Sequence, residues 1–600
     1  MATTRRRKNV EQSKENEQPS TAQANSTEPT ANAGSSVFEI AGVGLISLTT
    51  SAIVASTMMR LGPQYLEPVY GNVLPYINYQ WYVLASVLYG AALGAVYCRR
   101  NITAGPKRLG MAISHAFDLI CIMMATAPLR LKYMFSLVET LGPNYGPHII
   151  QLTFGYPVFI AIGFIMSVVS FWAGYSPVSP SRSLVTVFGA FLGQLLICTA
   201  GYTYVTPQRS CEAALLLGVN VAIASIIIKL VTEYFVGVNT TPAGQTQNQD
   251  RKKSKSGGLN IRIWPIAFCI ATGVLTMFTD PQCARAVTPS HQKNPLQMVL
   301  SRAESATGWV DVVATEKAGH KMKVLRSGHS IVGGIWEETS ESIFGVFYYM
   351  DAVKYARDPK AKGQERALQI GLGAGITTRS LYNENVLVDI VELDPAVYQA
   401  AIDYFKVPKE ITAVYLQDGR KFMEDALDHT YDYIVHDVFT GGSVPAALFS
   451  KEALQHAKRI LKPGGILSLN FVGEVGSGKS FDYVVRTLRS VFSHIRCFAD
   501  TKPDGDSIAN IVFFASDRPI KFHIPDHIAK PRPSEQTTRT HILSGMMDME
   551  LDIDKYIGDN SAGEIITDTY NPLSQFQIPS AIKHWQIMRD TFPSTFWNNY

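Results

Sequence analysis

Four groups of residues in the second half of this chain have the types and spacing to hold a nucleoside and move a proton: Gly371, Gly373 and Gly375, then Glu392, then Asp418 with Gly419, then Asp437. Three glycines in five positions let a backbone turn sharply beneath a ligand. Glu392 lies 21 residues past Gly371, the spacing at which an acid accepts hydrogen bonds from ribose hydroxyls. Each group has a plain alternative when taken singly: the glycines a simple turn, Glu392 a solvated strand end, Asp418 a helix cap. Their ordered recurrence is what points to one site.

The elements that must position them repeat one unit over 368–471, an apolar strand followed by a polar or glycine-bearing loop. LQIGLGAGITTRSL predicts a strand at 368–370 and a helix after the glycines. DIVELDP predicts a second strand ending at Glu392, with Asp394 and Pro395 as N-cap and first-turn residues of a helix. A third strand at 411–416 ends at Gln417, Asp418 and Gly419, a fourth at 433–435 ends at His436 and Asp437, and LKPGGILSLNFV supplies a turn and a fifth. In an open parallel sheet ligands bind beyond the carboxyl ends of the strands, where Gly373, Glu392, Asp418 and Asp437 would all fall. The expected fold is an α/β Rossmann-like domain over 368–520.

GLGAG, VELDP, LQDGRKF, YDYIVHD and LKPGG together resemble the S-adenosylmethionine-type (class I methyltransferase-type) Rossmann-like fold, and in particular the spermidine and spermine synthase (polyamine aminopropyltransferase) family. The resemblance covers about 303–516, and ESATGWVDVV and VLRSGHSIVGG are similar to the small β-rich segment that precedes the core in that family. It implies that Glu392 holds the ribose, that Asp418 and Gly419 flank the adenine, and that Asp437 accepts the proton of the attacking amine. Two positions depart from the family pattern. Its glycine loop usually carries an acid where this chain has Ala374, and its fourth strand usually ends in DxxD where Asp437 is followed by Thr440. Both missing acids would face amino groups. A polyamine nitrogen must lose a proton before it attacks carbon next to a sulfonium, and its distant ammonium needs a counter-charge. Asp437 serves as the base; the second charge must come from elsewhere, with Glu304, Glu337, Asp351 and Asp568 as candidates, or the acceptor is not a diamine. Asp568 sits in TDTYNPL, which resembles a segment that lies towards the active site in membrane-anchored spermidine synthase-like proteins; the plainer reading is a helix cap beside a proline turn.

Other motifs carry less. GEVGSGKS at 473–480 matches the phosphate-binding loop in full, but four strand units precede it and no apolar strand ending in a magnesium-binding Asp follows. It is expected to be a glycine-rich loop capping a helix. The seven cysteines form no CxxC pair and lie mostly in apolar runs, as small core residues. No His/Cys/Asp cluster has metal-ligand spacing, and a net charge of +4 over 600 residues does not suggest nucleic acid.

The first half is of another kind. Residues 1–36 are polar, with TRRRK near the start, and lack the apolar side chains to fold, so a disordered cytosolic tail is expected. A transmembrane helical domain follows at 37–280, with apolar runs near 37–59, 81–98, 109–128, 150–174, 184–204, 212–237 and 263–279, each long enough to cross a bilayer. Asp118 within HAFDLICIMM is the exception, a buried acid that needs a partner such as His115. Basic residues gather in loop 99–108 and in the linker 251–255. Placing both loops in the cytosol with seven spans puts the catalytic half on the far side. S-adenosyl donors are cytosolic and the sequons at Asn101 and Asn239 sit in those two loops, so a cytosolic catalytic half is the expectation. A linker and β-rich segment at 281–367 and an ordered aromatic-rich extension at 521–600 complete the chain.

The sequence therefore predicts a multi-pass membrane protein carrying an S-adenosyl-dependent transferase. The leading reaction is aminopropyl transfer from decarboxylated S-adenosylmethionine to a small-molecule amine, with Thr440 and Asp568 as substrate contacts. Methyl transfer from S-adenosylmethionine is the alternative, favoured by Ala374, whereas YIVHD and the β-rich prelude favour aminopropyl transfer. A non-catalytic domain sensing a nucleoside or polyamine is a third reading. Expected partners are the amine acceptor and the lipid bilayer, with no metal and no nucleic acid; a homo-oligomer is compatible with the sequence.

Overall fold

The structure is a computed structural model that describes residues 33–101, 106–174, 221–230, 297–357, 363–439, 441–476, 479–503, 508–557 and 563–597, together with the single positions 192, 267 and 271. Among these residues four helical stretches are long and apolar enough to cross a membrane: Gly42–Tyr70, Leu74–Arg100, Arg108–Ala125 and Tyr156–Gly174. They correspond to the first four expected spans. The runs at 184–204, 212–237 and 263–279 lie wholly or mostly outside the described residues, as do the tail 1–32 and the linker 251–255. The second and fourth stretches cross at glycines: a Cβ on Gly90 would lie 1.9 Å from the Ile160 carbonyl oxygen, and one on Gly163 would lie 2.0 Å from that of Val87. Small residues permit such backbone contact.

Asp118 is buried between helices. Its Oδ2 lies 2.6 Å from Lys229 Nζ and its Oδ1 accepts the Ser225 hydroxyl at 2.6 Å, while His115 stands at 3.6 Å. The principal partners are therefore Lys229 and Ser225, more than a hundred residues away, rather than the neighbouring histidine. Cys98, Cys121 and Cys497 are buried.

The second half holds two sheets. Strands β1 (Met298–Ser305), β2 (Gly308–Lys317), β3 (His320–Ser327) and β4 (Ser330–Trp336) form an antiparallel meander. It is followed by a seven-stranded sheet of β5 (Arg366–Ile370), β6 (Leu387–Glu392), β7 (Ala413–Leu416), β8 (Tyr431–His436), β9 (Leu461–Glu474), β10 (His494–Ala499) and β11 (Ile508–Ser516), in the order β10-β11-β9-β8-β5-β6-β7. β5 to β9 pair in parallel, and β11 and β10 add an antiparallel edge. The central strands are near-continuous apolar runs because helices cover both faces of a parallel sheet; β8 is buried at every position. Asp394 caps the helix Pro395–Tyr404 by accepting the Ala396 amide at 2.8 Å, as its place before Pro395 predicts.

The C-terminal extension joins the halves. On its helix Ile578–Thr591, Trp585 stacks on Tyr70 and donates Nε1–H to the Val69 carbonyl at 2.8 Å, while Arg589 donates to the same oxygen. Beside it the His329 ring is wedged between Gly71 of the helical half and Gly441 of the loop after β8; a Cβ on either glycine would lie 2.3 Å from its Cε1.

Candidate active site

The sheet reverses its winding at β5, which has β6 on one side and β8 on the other, and the carboxyl ends of β5 and β8 open a crevice there. The Asp437 amide donates to the Ile370 carbonyl at 2.9 Å, so the two loops leave the sheet in contact. Gly371 turns with φ +76°, and a Cβ at that position would meet the Asp437 carbonyl oxygen at 2.0 Å. The close approach of the loops therefore requires glycine. A cavity of about 400 Å³ lies above them, the size of a small-molecule site.

Glu392 ends β6, buried at 7% exposure. Its Oε2 accepts the Leu372 amide at 2.7 Å and its Oε1 the Asp394 amide at 2.8 Å, so it ties the glycine loop to the loop after β6. Each oxygen keeps a lone pair for a hydroxyl donor. Burial pushes the carboxyl up to about 7, against the amide bonds that lower it. Asp418 does both of the things its position allows: it caps the helix Gly419–Asp425, accepting the Lys421 amide at 3.0 Å, and it lines the cavity. Thr307, in the β1–β2 turn, donates its amide and hydroxyl to Asp394 at 2.8 and 2.6 Å and brings the meander over this end of the cavity.

At the other end Asp437 accepts a hydrogen bond from Asn470 Nδ2 at 2.9 Å. Burial raises its carboxyl to about 6, the Asn470 bond opposing that shift. Asn470 is 5% exposed and its Oδ1 has no partner among the described residues. Asp500, after β10, accepts the Asn510 amide at 3.0 Å and its Nδ2 at 2.6 Å, and burial raises its carboxyl also. His584, Met588 and Thr591 of the C-terminal helix close the wall. Burial lowers His584 to about 4, which leaves a neutral ring whose Nε2 lies 3.0 Å from Ser330 Oγ.

The structure gathers Gly371, Gly373, Glu392, Asp418, Gly419 and Asp437 around one cavity. Gly375 does not line it; with φ +67° it is the left-handed N-cap of the helix Ile376–Asn383. Thr440 lies outside the described residues. Asp568 is not brought to the cavity: it forms an ion pair with Arg420 at 2.7 Å, accepts the Ser450 hydroxyl at 2.6 Å, and fastens the extension to the outer helices. The other acids weighed for a second amine contact are spent elsewhere, Asp351 on Arg539 at 2.9 Å and Glu337 beside Lys323 at 3.6 Å; the Glu304 side chain lies outside the described residues. Sequence reading missed Asn470, Asp500, Asn510 and His584. The signal for Asp500 was available, since an acid follows the apolar run HIRCFA, but the antiparallel pair β10–β11 went unread.

The glycine cradle, the buried acid at the end of β6 and the acid at the end of β8 define a nucleoside-binding, Rossmann-like transferase domain, and its lining suits an S-adenosyl group. Residues 351–518 match the spermine/spermidine synthase domain, and this part of the chain is similar to S-adenosylmethionine-type, spermidine synthase-like proteins. The chain is 29% identical over 327 residues to an N-terminal histidine N-methyltransferase of Emericella nidulans, covering 50% of this chain and 58% of that protein. It is 35% identical over 150 residues to a polyamine aminopropyltransferase of Vibrio vulnificus, covering 24% and 49%. The chain thus spans about half the length of these relatives. Among solved structures, a probable spermidine synthase from Corynebacterium glutamicum is 18% identical with a TM-score of 0.37, covering 45% of this chain and 96% of that one.

Proposed function

We propose that the protein is an S-adenosylmethionine-dependent N-methyltransferase whose acceptor is a histidine at the N-terminus of a peptide chain. The observation that carries this reading is Ala374. It is 1% exposed and packs on β4, where a Cβ on Gly333 would lie 2.7 Å from its own. An acid there, which the glycine loop of the resembled family usually carries to face an aminopropyl amine, would press on β4 and bury a charge. The similarity to the histidine N-methyltransferase over 327 residues, against 150 for the aminopropyltransferase, supports the same choice.

In this reading Glu392 holds the ribose, the Gly371–Gly373 turn supports the donor, and Asp418 with Gly419 flanks the adenine. When bound, S-adenosylmethionine supplies a methyl group on a positively charged sulfur, and the C–S bond breaks as the C–N bond forms, leaving a neutral thioether. Asp437 accepts the proton that the acceptor nitrogen loses. Its raised pKa of about 6 keeps it largely ionised at neutral pH, and a cationic donor beside it stabilises that state further. A histidine becomes N-terminal when a leader is cut away. The catalytic half is expected to face the cytosol, where the donor is made; protease added to sealed microsomes should digest it, and protection would place it on the opposite face.

Aminopropyl transfer is the second reading, favoured by the domain match over 351–518. The detergent-solubilised protein, incubated with S-adenosylmethionine or its decarboxylated form and with a histidine-started peptide or putrescine, separates them. S-adenosylhomocysteine and a methylated peptide are expected. Methylthioadenosine with an extended polyamine would establish aminopropyl transfer, and neither product would leave a binding domain.

A further inference from the structure

Strands β8, β9, β11 and β10 are neighbours in that order, and each places one polar residue on the cavity: Asp437, Asn470, Asn510 and Asp500. Asn470 and Asn510 share a face of the sheet, because Asn470 pairs with Val512 and Asn510 with Val472 in the antiparallel register. Each carboxylate is fixed by the asparagine of the adjacent strand, Asp437 by Asn470 and Asp500 by Asn510. The arrangement leaves one acceptor without a donor among the described residues, Asn470 Oδ1, and one carboxylate bonded only to neutral donors, Asp500. Asn470 commits an Nδ2–H to Asp437, and its buried Oδ1, which has no partner among the described residues, can accept a hydrogen bond from a donor such as an N–H. Asp500 is held by the neutral donors Asn510 and Thr501, and a partly buried carboxylate with neutral neighbours is suited to a cation.

We propose that this row is the acceptor subsite, in which Asn470 and Asp437 hold the group being methylated and Asp500 binds the second basic nitrogen of the same N-terminal histidine. The assignment rests on the methyl-transfer reading above. Asn470 and Asp500 both line the one cavity, on strands separated by β11 alone. Asp500 thereby takes the part of the second carboxylate that position 440 lacks, from the opposite edge of the sheet.

The test uses the full-length protein in detergent with S-adenosylmethionine and two peptides, one beginning with histidine and one with alanine, which has a single basic nitrogen. Asp500→Asn should raise KM for the histidine peptide by about 10- to 100-fold, the worth of one charge-assisted hydrogen bond. It should leave kcat and donor affinity by calorimetry nearly unchanged, and leave KM for the alanine peptide as it was. Asp500→Glu should recover part of the loss. Asn470→Leu should act on kcat, which separates the two ends of the row. An unchanged KM for the histidine peptide in Asp500→Asn, or an equal rise for both peptides, overturns the subsite while methylation by the wild type stands. A wild type that methylates neither peptide rejects the reaction itself, and the subsite with it. If Asp500→Asn abolishes donor binding, Asn510→Ala, which frees the carboxylate without removing its charge, is read instead; a KM rise confined to the histidine peptide supports the subsite and no rise overturns it.

Discussion

The two ends of the cavity are built differently. The end proposed to hold the donor is made from loops that follow β5, β6 and β7, close in sequence, and its residues hold one another through the backbone: Glu392 bonds the amides of Leu372 and Asp394, and Asp418 caps its own helix. The opposite end draws on β8, β9, β10, β11 and the C-terminal helix, and its polar residues are paired side chain to side chain across strands. In the proposed reading, the acceptor is set by Asn470 and Asp500 of the second end, while Ala374 in the loop after β5 leaves no acid at the first.

The largest expected effect breaks the second end alone. Asp437→Asn keeps the shape and removes the base, so turnover at neutral pH should fall by about 10²–10⁴ with donor affinity changed far less. The same substitution should stabilise the ligand-free protein. A carboxyl raised from 3.8 to about 6 in the folded state contributes stability that is present below pH 3.8 and lost as pH rises through 6. Replacing it relieves a cost on the order of 2 kcal/mol at pH 7, after allowing for the carboxylate's contact with the cavity. Thermal unfolding of the variant at pH 5 and 7.5 checks this; a lower melting temperature with turnover per folded molecule preserved would make Asp437 a structural residue.

Glu392→Ala breaks the first end. Donor affinity by calorimetry should weaken by roughly 1.5–3 kcal/mol, the worth of hydrogen bonds to a charged group, and unchanged affinity would remove Glu392 from the donor's contacts. A smaller effect sharpens the contrast without mutation. Because Asp437 must be ionised to accept a proton, kcat/KM should fall about tenfold per pH unit below its value near 6, and Asp437→Asn should lack that limb. The smallest effect is expected at Lys479, whose exposed ammonium lies 5.5 Å from the Phe576 ring beyond β9. Lys479→Ala should leave turnover within about twofold; loss of a magnesium-dependent ATPase activity in that variant would mean the GEVGSGKS segment binds phosphate.

The end of the cavity proposed to hold the donor was legible as a cluster in the sequence because every part of it is local. A glycine turn, an acid 21 residues on and an N-capping Asp before Pro395 are set by backbone geometry within single strand–loop–helix units, and such units carry their signals along the chain. The four apolar helical stretches were legible for the same reason, since length and composition alone decide whether a helix can cross a bilayer. The acceptor end was not. Asn470 and Asp500 become neighbours of Asp437 only through the order β8-β9-β11-β10, in which the last two strands reverse places, and no local pattern encodes that order. Asp568 illustrates the converse, an acid that a motif placed near the site and that the fold spends on Arg420. Likewise Asp118 needed a partner, but only the packing of distant helices could supply Lys229 and Ser225. Sequence by itself determined the class of chemistry, through residues that turn, cap and point from one strand end; tertiary structure decided what shares the cavity with them, because side-chain pairing across strands and helices depends on distances that the chain order does not contain.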